Sequence, residues 1–163
     1  MRRLLLIGCA LLCVSCATLD HLRAFVQPPR FVQDRPAQVT LGNISREHPL
    51  GAANLHVWLR VTNPNPFGFT LSTLSATLLL NGRRAATGRF PLGLPLGASQ
   101  ESVVPLDLTI DFRDVPGLVD VVRGAIRGEA VPYELDGTIG VDAGQFGQPT
   151  FGPMTLVRGN AGS

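Results

Sequence analysis

Nucleophilic or metal chemistry in this chain would have to come from three cysteines, three histidines and a few sets of carboxylates. Cys9, Cys13 and Cys16 all fall within the first sixteen residues. His21, His48 and His56 are scattered over what read as a leader, a loop and a strand, so no dyad or metal site is expected from them. Glu134, Asp136 and Asp142 lie along one apolar-alternating segment, and Asp107 and Asp111 along another. Outward carboxylates of this kind can hold calcium, yet the same pattern is what a solvated strand face shows, and solvation is the reading adopted. No GxSxG, no GxGxxG, no phosphate loop and no paired catalytic carboxylates are present. No catalytic residue, no metal and no cofactor are therefore expected. His56, Trp58 and Arg60 share one strand face, which reads either as a surface binding patch or as a second packed face.

The cysteines acquire a meaning from their surroundings. Met1-Arg2-Arg3 is a short basic start, and Leu4 to Val14 is an unbroken apolar run ending at Ser15-Cys16. Eleven helical residues rise only about 16 Å, roughly half of a bilayer's hydrocarbon thickness, so the run reads as an export signal and not as a span. The ending resembles a bacterial lipoprotein signal, in which a small residue precedes a cysteine that is acylated on its thiol and becomes the mature N-terminus. That resemblance implies a signal peptide over 1–15, lipid attachment at Cys16, and anchoring to the cell envelope through N-terminal acyl chains. Leu6-Ile7-Gly8-Cys9 matches the local motif better but leaves an apolar run of only five residues; export without lipid is the third reading. Ala17 after Cys16, rather than Asp, favours the periplasmic face of the outer membrane within the resembled class.

Cleavage before Cys16 removes Cys9 and Cys13, leaving no thiol in the body for disulfides, thiolate metal sites or a cysteine nucleophile. It also removes Arg2 and Arg3. All 14 cations are Arg, so 12 Arg then balance 12 acids and the formal +2 belongs to the signal. Without a net basic footprint, nucleic acid is not an expected partner. Residues 16–36, with Pro28, Pro29 and Pro36, read as a lipidated tether that keeps the domain off the bilayer.

The body must then be one domain, read as residues 37–158 with a disordered tail over 159–163. An opening strand is expected near Gln38 to Ile44. Leu55 to Asn63 alternates, with Val57, Leu59 and Val61 on one side and His56, Trp58, Arg60 and Thr62 on the other. Leu74, Ala76, Leu78 and Leu80 make the next apolar face. Asn81-Gly82 then signals a type I′ turn into Arg84 to Phe90. Val104, Leu106, Leu108, Ile110 and Phe112 repeat the period, and Pro105 suggests an edge position or a bulge. Tyr133, Leu135, Ile139 and Val141 form another strand, in which Gly137 and Gly140 suggest a bulge, and a last strand is expected near Thr150 to Val157. Between Phe112 and Val131 the period changes. Leu118, Val119, Val122, Ala125 and Ile126 have helical spacing, with Asp114 as candidate cap, Pro116 in the first turn and Gly128 as the stop. About seven antiparallel strands with one helix near 116–127 and no βαβ rhythm predict a mainly β fold, a β-sandwich.

Asn63-Pro64-Asn65-Pro66 closes the Leu55 strand. The two prolines fix φ and hold both asparagines extended, while the Asn side chains can bond backbone groups left free at a strand end. A structural corner is expected, in which losing the Asn63 side chain costs about 1 kcal/mol. The ordered set Val57 to Asn65, Leu80-Asn81-Gly82, Gly88, Leu94-Pro95, Val104-Pro105 and Val131 to Leu135 resembles the late embryogenesis abundant type 2 family and its water-stress-and-hypersensitive-response (WHy) domain, over about Gln38 to Val157. The resemblance implies an immunoglobulin-like or fibronectin-like sandwich, no catalytic residues and a role in protection against desiccation or other water stress. It also leaves open a groove that holds lipid between the sheets, with Arg60 and Arg89 as candidates for its mouth and room at Ala76 and Gly137. Stressed client proteins and lipid are the partners these two readings imply.

Overall fold

Side chains two apart on a strand share a face, and this chain repeats that pattern around one core. The computed structural model describes residues 25–162; Cys9, Cys13, Cys16 and His21 lie outside the described residues. The strands are β1 (Arg30–Gly42), β2 (Ala52–Thr62), β3 (Phe69–Leu80), β4 (Arg83–Leu96), β5 (Glu101–Asp111), β6 (Val131–Asp142) and β7 (Thr150–Ala161). They form one sheet in the order β4-β3-β6-β7-β1-β2-β5. The two end strands, β4 and β5, run beside each other without a ladder, so the sheet is nearly closed into a barrel. Val57, Leu59, Val61, Leu78, Leu135 and Ile139 are fully buried inside it.

The mainly β class holds, and so do the seven strands among the described residues, but the purely antiparallel sandwich does not. β1 pairs antiparallel with β2 and, through Ala37 and Ala161, parallel with β7. Two register irregularities, between Gln33 and Arg35 and between Arg35 and Gln38, bend β1 around Pro36 from one half of the sheet to the other. Ala37 and Ala161 are 4% and 0% exposed, and their small side chains allow the close approach.

Both ends of the domain differ from the reading of the sequence. β1 begins at Arg30, so Arg30 to Pro36 are strand and not tether. Alternation is poor there because the bulges interrupt it. β7 continues to Ala161, which is fully buried, so Gly159 to Ala161 are not a tail.

The helix occupies the expected place as a 3-10 turn at Pro116–Leu118 followed by α1 (Val119–Ile126). Asp114 makes no capping bond, because the turn starts from Val115. The end follows the expected chemistry: Gly128, at φ +87°, lets its own N–H reach the Ala125 carbonyl and the Glu129 N–H reach that of Gly124. Asn81 and Gly82 both have left-handed φ, 49° and 73°, as a type I′ turn between β3 and β4 requires. Pro105 lies on β5, an end strand of the sheet. The irregularities beside Gly137 and Gly140 place the additional residues on neighbouring β7 and β3, not on β6 itself.

The small-residue positions are filled. Gly88, Ala76 and Gly137 form one row across β4, β3 and β6. A Cβ at Gly137 would lie 2.6 Å from Leu156 Cδ1 and 3.1 Å from the Ser75 carbonyl oxygen. At Gly88 it would lie 3.2 Å from Leu108 Cδ2 and 2.9 Å from the Phe90 ring. The absent side chains are the space that neighbouring core residues occupy.

Candidate functional site

The most elaborate polar arrangement in the domain is the Asn63-Pro64-Asn65-Pro66 corner. Asn63 and Asn65 are 0% exposed, the two buried polar residues among the described residues. Burying an amide is costly unless each donor and acceptor is matched. The Asn63 amide donates to the carbonyls of Phe67 and Gly97, both at 2.8 Å, with that of Leu96 at 3.3 Å. Its oxygen accepts from the Asn65 backbone N–H at 2.9 Å and from the Asn65 amide at 3.0 Å. One side chain thus fastens the β2–β3 connection to the β4–β5 connection.

Asn65 does something the sequence did not disclose. Its amide donates to the Gln27 carbonyl at 3.0 Å, and its oxygen accepts the Gln27 N–H at 2.8 Å. The side chain imitates one rung of a β-ladder and holds a segment 38 residues away in sequence, with Val26 buried beside it. The signal that could have exposed this was the pair itself, since two buried amides demand more partners than a four-residue corner contains.

His56, Trp58 and Arg60 lie on the outer side of the sheet; no second packed layer covers them among the described residues, because the sheet curls around a single interior. Trp58 is half-buried, with the Arg35 guanidinium 5.2 Å from its ring centroid and the His56 ring at 6.5 Å. Arg60 donates to Asp34 and to Glu101, and His56 pairs with Asp107. Arg89 is exposed on β4, with only β5 between that strand and Arg60 on β2 in the nearly closed sheet.

Of the expected carboxylates, Glu134 and Asp136 share the Thr155 hydroxyl, at 2.8 Å each, and Asp107, Asp111 and Asp142 are engaged separately. Asp111 accepts from His48 and from the Arg113 backbone, which holds its carboxyl below the ordinary range. Asp142 accepts from the Gly144 N–H and from Gln148. Among the described residues no three His, Cys, Asp or Glu side chains stand together as metal ligands. Glu134 accepts from Arg158 and from the Thr155 hydroxyl, both at 2.8 Å, and these bonds lower its pKa from 4.5 to about 2. A carboxyl depressed on folding adds stability above its unfolded pKa and loses it as pH falls through the folded value. Arg158→Gln is therefore expected to melt below wild type at pH 6. The gap should narrow below pH 4.5 and close near pH 2, as thermal melts across that range would record.

Two hollows bear on ligand chemistry. A trough of about 420 Å³ on the outer side of β3, β4 and β6 is floored by the Gly88-Ala76-Gly137 row and lined by Ser75, Thr77, Thr87, Arg89, Asp136 and Thr138. It is polar. The apolar hollow is the β4/β5 seam, lined by Pro91, Leu92, Leu94, Val103, Val104 and Pro105, and it holds about 230 Å³. That falls below the several hundred Å³ usual for small-molecule sites. No helix among the described residues is long and apolar enough to cross a membrane.

Comparison with known proteins follows this geometry. A solution structure of a protein from Arabidopsis thaliana is 20% identical, over 80% of this chain and 83% of that one, with a TM-score of 0.55, and shares the fold. A second solution structure, provisionally described as a late embryogenesis abundant (LEA) protein, is 18% identical over 91% and 81%, at a TM-score of 0.47. A crystal structure of a protein from Archaeoglobus fulgidus is 14% identical over 72% and 90%, at 0.45. No curated protein matches. The family model described as late embryogenesis abundant protein, LEA_2, matches residues 59–155, from the β2 face through the Asn corner to β7. That match spans more than half of the sequence, and the chain belongs to the late embryogenesis abundant type 2 family.

Proposed function

We propose that this protein is a non-catalytic lipoprotein of the cell envelope, attached through acyl chains on Cys16, whose domain protects its neighbours when water is withdrawn. The observation that carries the choice of protection over ligand transport is the filled Gly88-Ala76-Gly137 row, where Leu108, Phe90 and Leu156 occupy the space a guest would need. Family membership supports a stress-related role. The Ser- and Thr-rich outer trough supports it physically, since hydroxyls can exchange hydrogen bonds with water or with a neighbour's surface.

A dehydration-sensitive enzyme dried with residues 25–163 is expected to retain more activity on rewetting than the enzyme dried with an equal mass of an unrelated β-protein. Equal recovery would sink the protective reading. The second reading, an apolar-ligand module, draws on the β4/β5 seam. It would be promoted by acyl lipid co-purifying at about one per protein in native mass measurement.

Anchoring has its own test, motivated by the basic start, the apolar run and Ser15-Cys16. Metabolic labelling with a fatty acid should mark wild type and leave Cys16→Ser unlabelled. Label kept by that variant and lost in Cys9→Ser would move the attachment site.

A further inference from the structure

The two ends of the barrel differ in kind. The end at the Asn corner gathers the connections 63–68, 97–100 and 143–149, which contain no charged residue, although the strand ends behind them carry Arg30, Glu101 and Asp142. It also carries phenylalanine: Phe67 and Phe146 stack with centroids 4.4 Å apart, and Phe25 is 67% exposed. The opposite end holds the β1–β2 connection, the β3–β4 turn and the helix, and is charged throughout, with Arg46, Glu47, Arg83, Arg113, Asp114 and Arg123 among its residues.

The chain also enters the domain at the uncharged end. The two bonds from Asn65 to Gln27, with Val26 buried, hold the start of the domain beside that end. Eleven residues separate Cys16 from Gln27, so an anchor at Cys16 lies at most about 40 Å away along an extended chain. We infer that the uncharged, phenylalanine-bearing end faces the lipid bilayer, with the Asn corner as the positioning element that holds it there. This rests on the anchored reading of Cys16.

The chemistry fits a phospholipid surface. Apposing the opposite end would desolvate its Arg and its carboxylates alike, and the attraction of Arg to anionic headgroups is opposed by the neighbouring Glu47, Asp114 and Asp120, whereas Gly, Ala, Gln and Pro loops carry no desolvation cost. Exposed phenylalanine is an apolar group that interfaces accept. The opposite end exposes Leu41, Ile44, Leu50 and Ile126 too, but these lie among Arg46, Glu47, Arg123 and Arg127.

The mature body contains no cysteine, so single thiols can report depth. Full-length lipoprotein would carry an environment-sensitive dye on Gln145→Cys, at the corner end, or on Glu47→Cys, at the other; both positions are exposed. Each would be reconstituted in phosphatidylethanolamine/phosphatidylglycerol vesicles containing headgroup spin-labelled lipid. The ends stand roughly 35 Å apart along strands of this length, so quenching at position 145 should exceed that at 47 by at least about threefold. Adding carboxylates by Gln145→Glu and Gln148→Glu, with the dye moved to Ala98→Cys, should weaken quenching at that end. Equal quenching of both dyes on sedimented vesicles, or stronger quenching at 47, would overturn the inference while leaving the anchor intact. Failure of the protein to sediment with vesicles would overturn the anchored reading and this inference with it.

Discussion

Asn63→Ala is expected to lower the unfolding free energy by about 3 kcal/mol, because it leaves two backbone groups without partners and removes four side-chain bonds at once. The Phe67 carbonyl and the Asn65 N–H lose their partners, while the Gly97 carbonyl keeps the Gln100 N–H and the Asn65 amide keeps the Gln27 carbonyl. This is well above the single bond that the sequence suggested. For a domain of this size the melting midpoint should fall by about 10 °C. Asn63→Asp should do no better, since a carboxylate would face carbonyl oxygens where the amide donates. A midpoint within a degree or two of wild type for Asn63→Ala, read by calorimetry on residues 25–163, would show that Pro64 and Pro66 hold the corner unaided. The polypeptide should start at Phe25 for that measurement. Starting at Gln38 would remove half of β1 and the Gln27 clasp.

The second large effect concerns the core, which should resist change in both directions. Leu108→Ala removes a 1% exposed side chain that rests against Gly88 and is expected to cost about 3 kcal/mol. Gly137→Val adds volume where Leu156 and the Ser75 carbonyl already stand, and is expected to cost about 2 kcal/mol despite valine's preference for strands. Both penalties together describe a closed core. If Leu108→Ala destabilised the domain while Gly137→Val stabilised it in urea titrations, the interior would contain usable space and the apolar-ligand module would replace the protective reading.

On the anchored reading of Cys16, the Asn corner would also bring the domain nearer its membrane. With the chain held at Gln27, eleven residues, 16–26, remain on the Cys16 side in place of the twenty-one of 16–36, an extended reach of at most about 40 Å.

The faces of β2, β3, β5 and β6 were legible in the sequence because strand periodicity is local: Val57, Leu78, Leu108 and Leu135 each sit two residues from another apolar neighbour, and all point inward. The Asn81-Gly82 turn and the Gly128 helix end were legible for the same reason, since a left-handed φ is a property of one or two residues. Exclusion of thiol chemistry from the body needed only the positions of the three cysteines.

Beyond the β3–β4 pair that Asn81-Gly82 joins, which strand lies beside which was decided by tertiary structure. The parallel contact of Ala37 with Ala161 joins segments 124 residues apart, and the kink that permits it hides the alternation of Arg30 to Pro36. The outer position of Trp58 has the same origin: a half-apolar strand face looks alike whether a second layer covers it or solvent does, and only closure of the sheet around one interior separates the two. Asn65 is the clearest case. Its type and its prolines predict a corner, but a side chain completes its hydrogen bonds with whatever backbone the fold delivers. The Gln27 peptide arrives only once β1 has paired with β2.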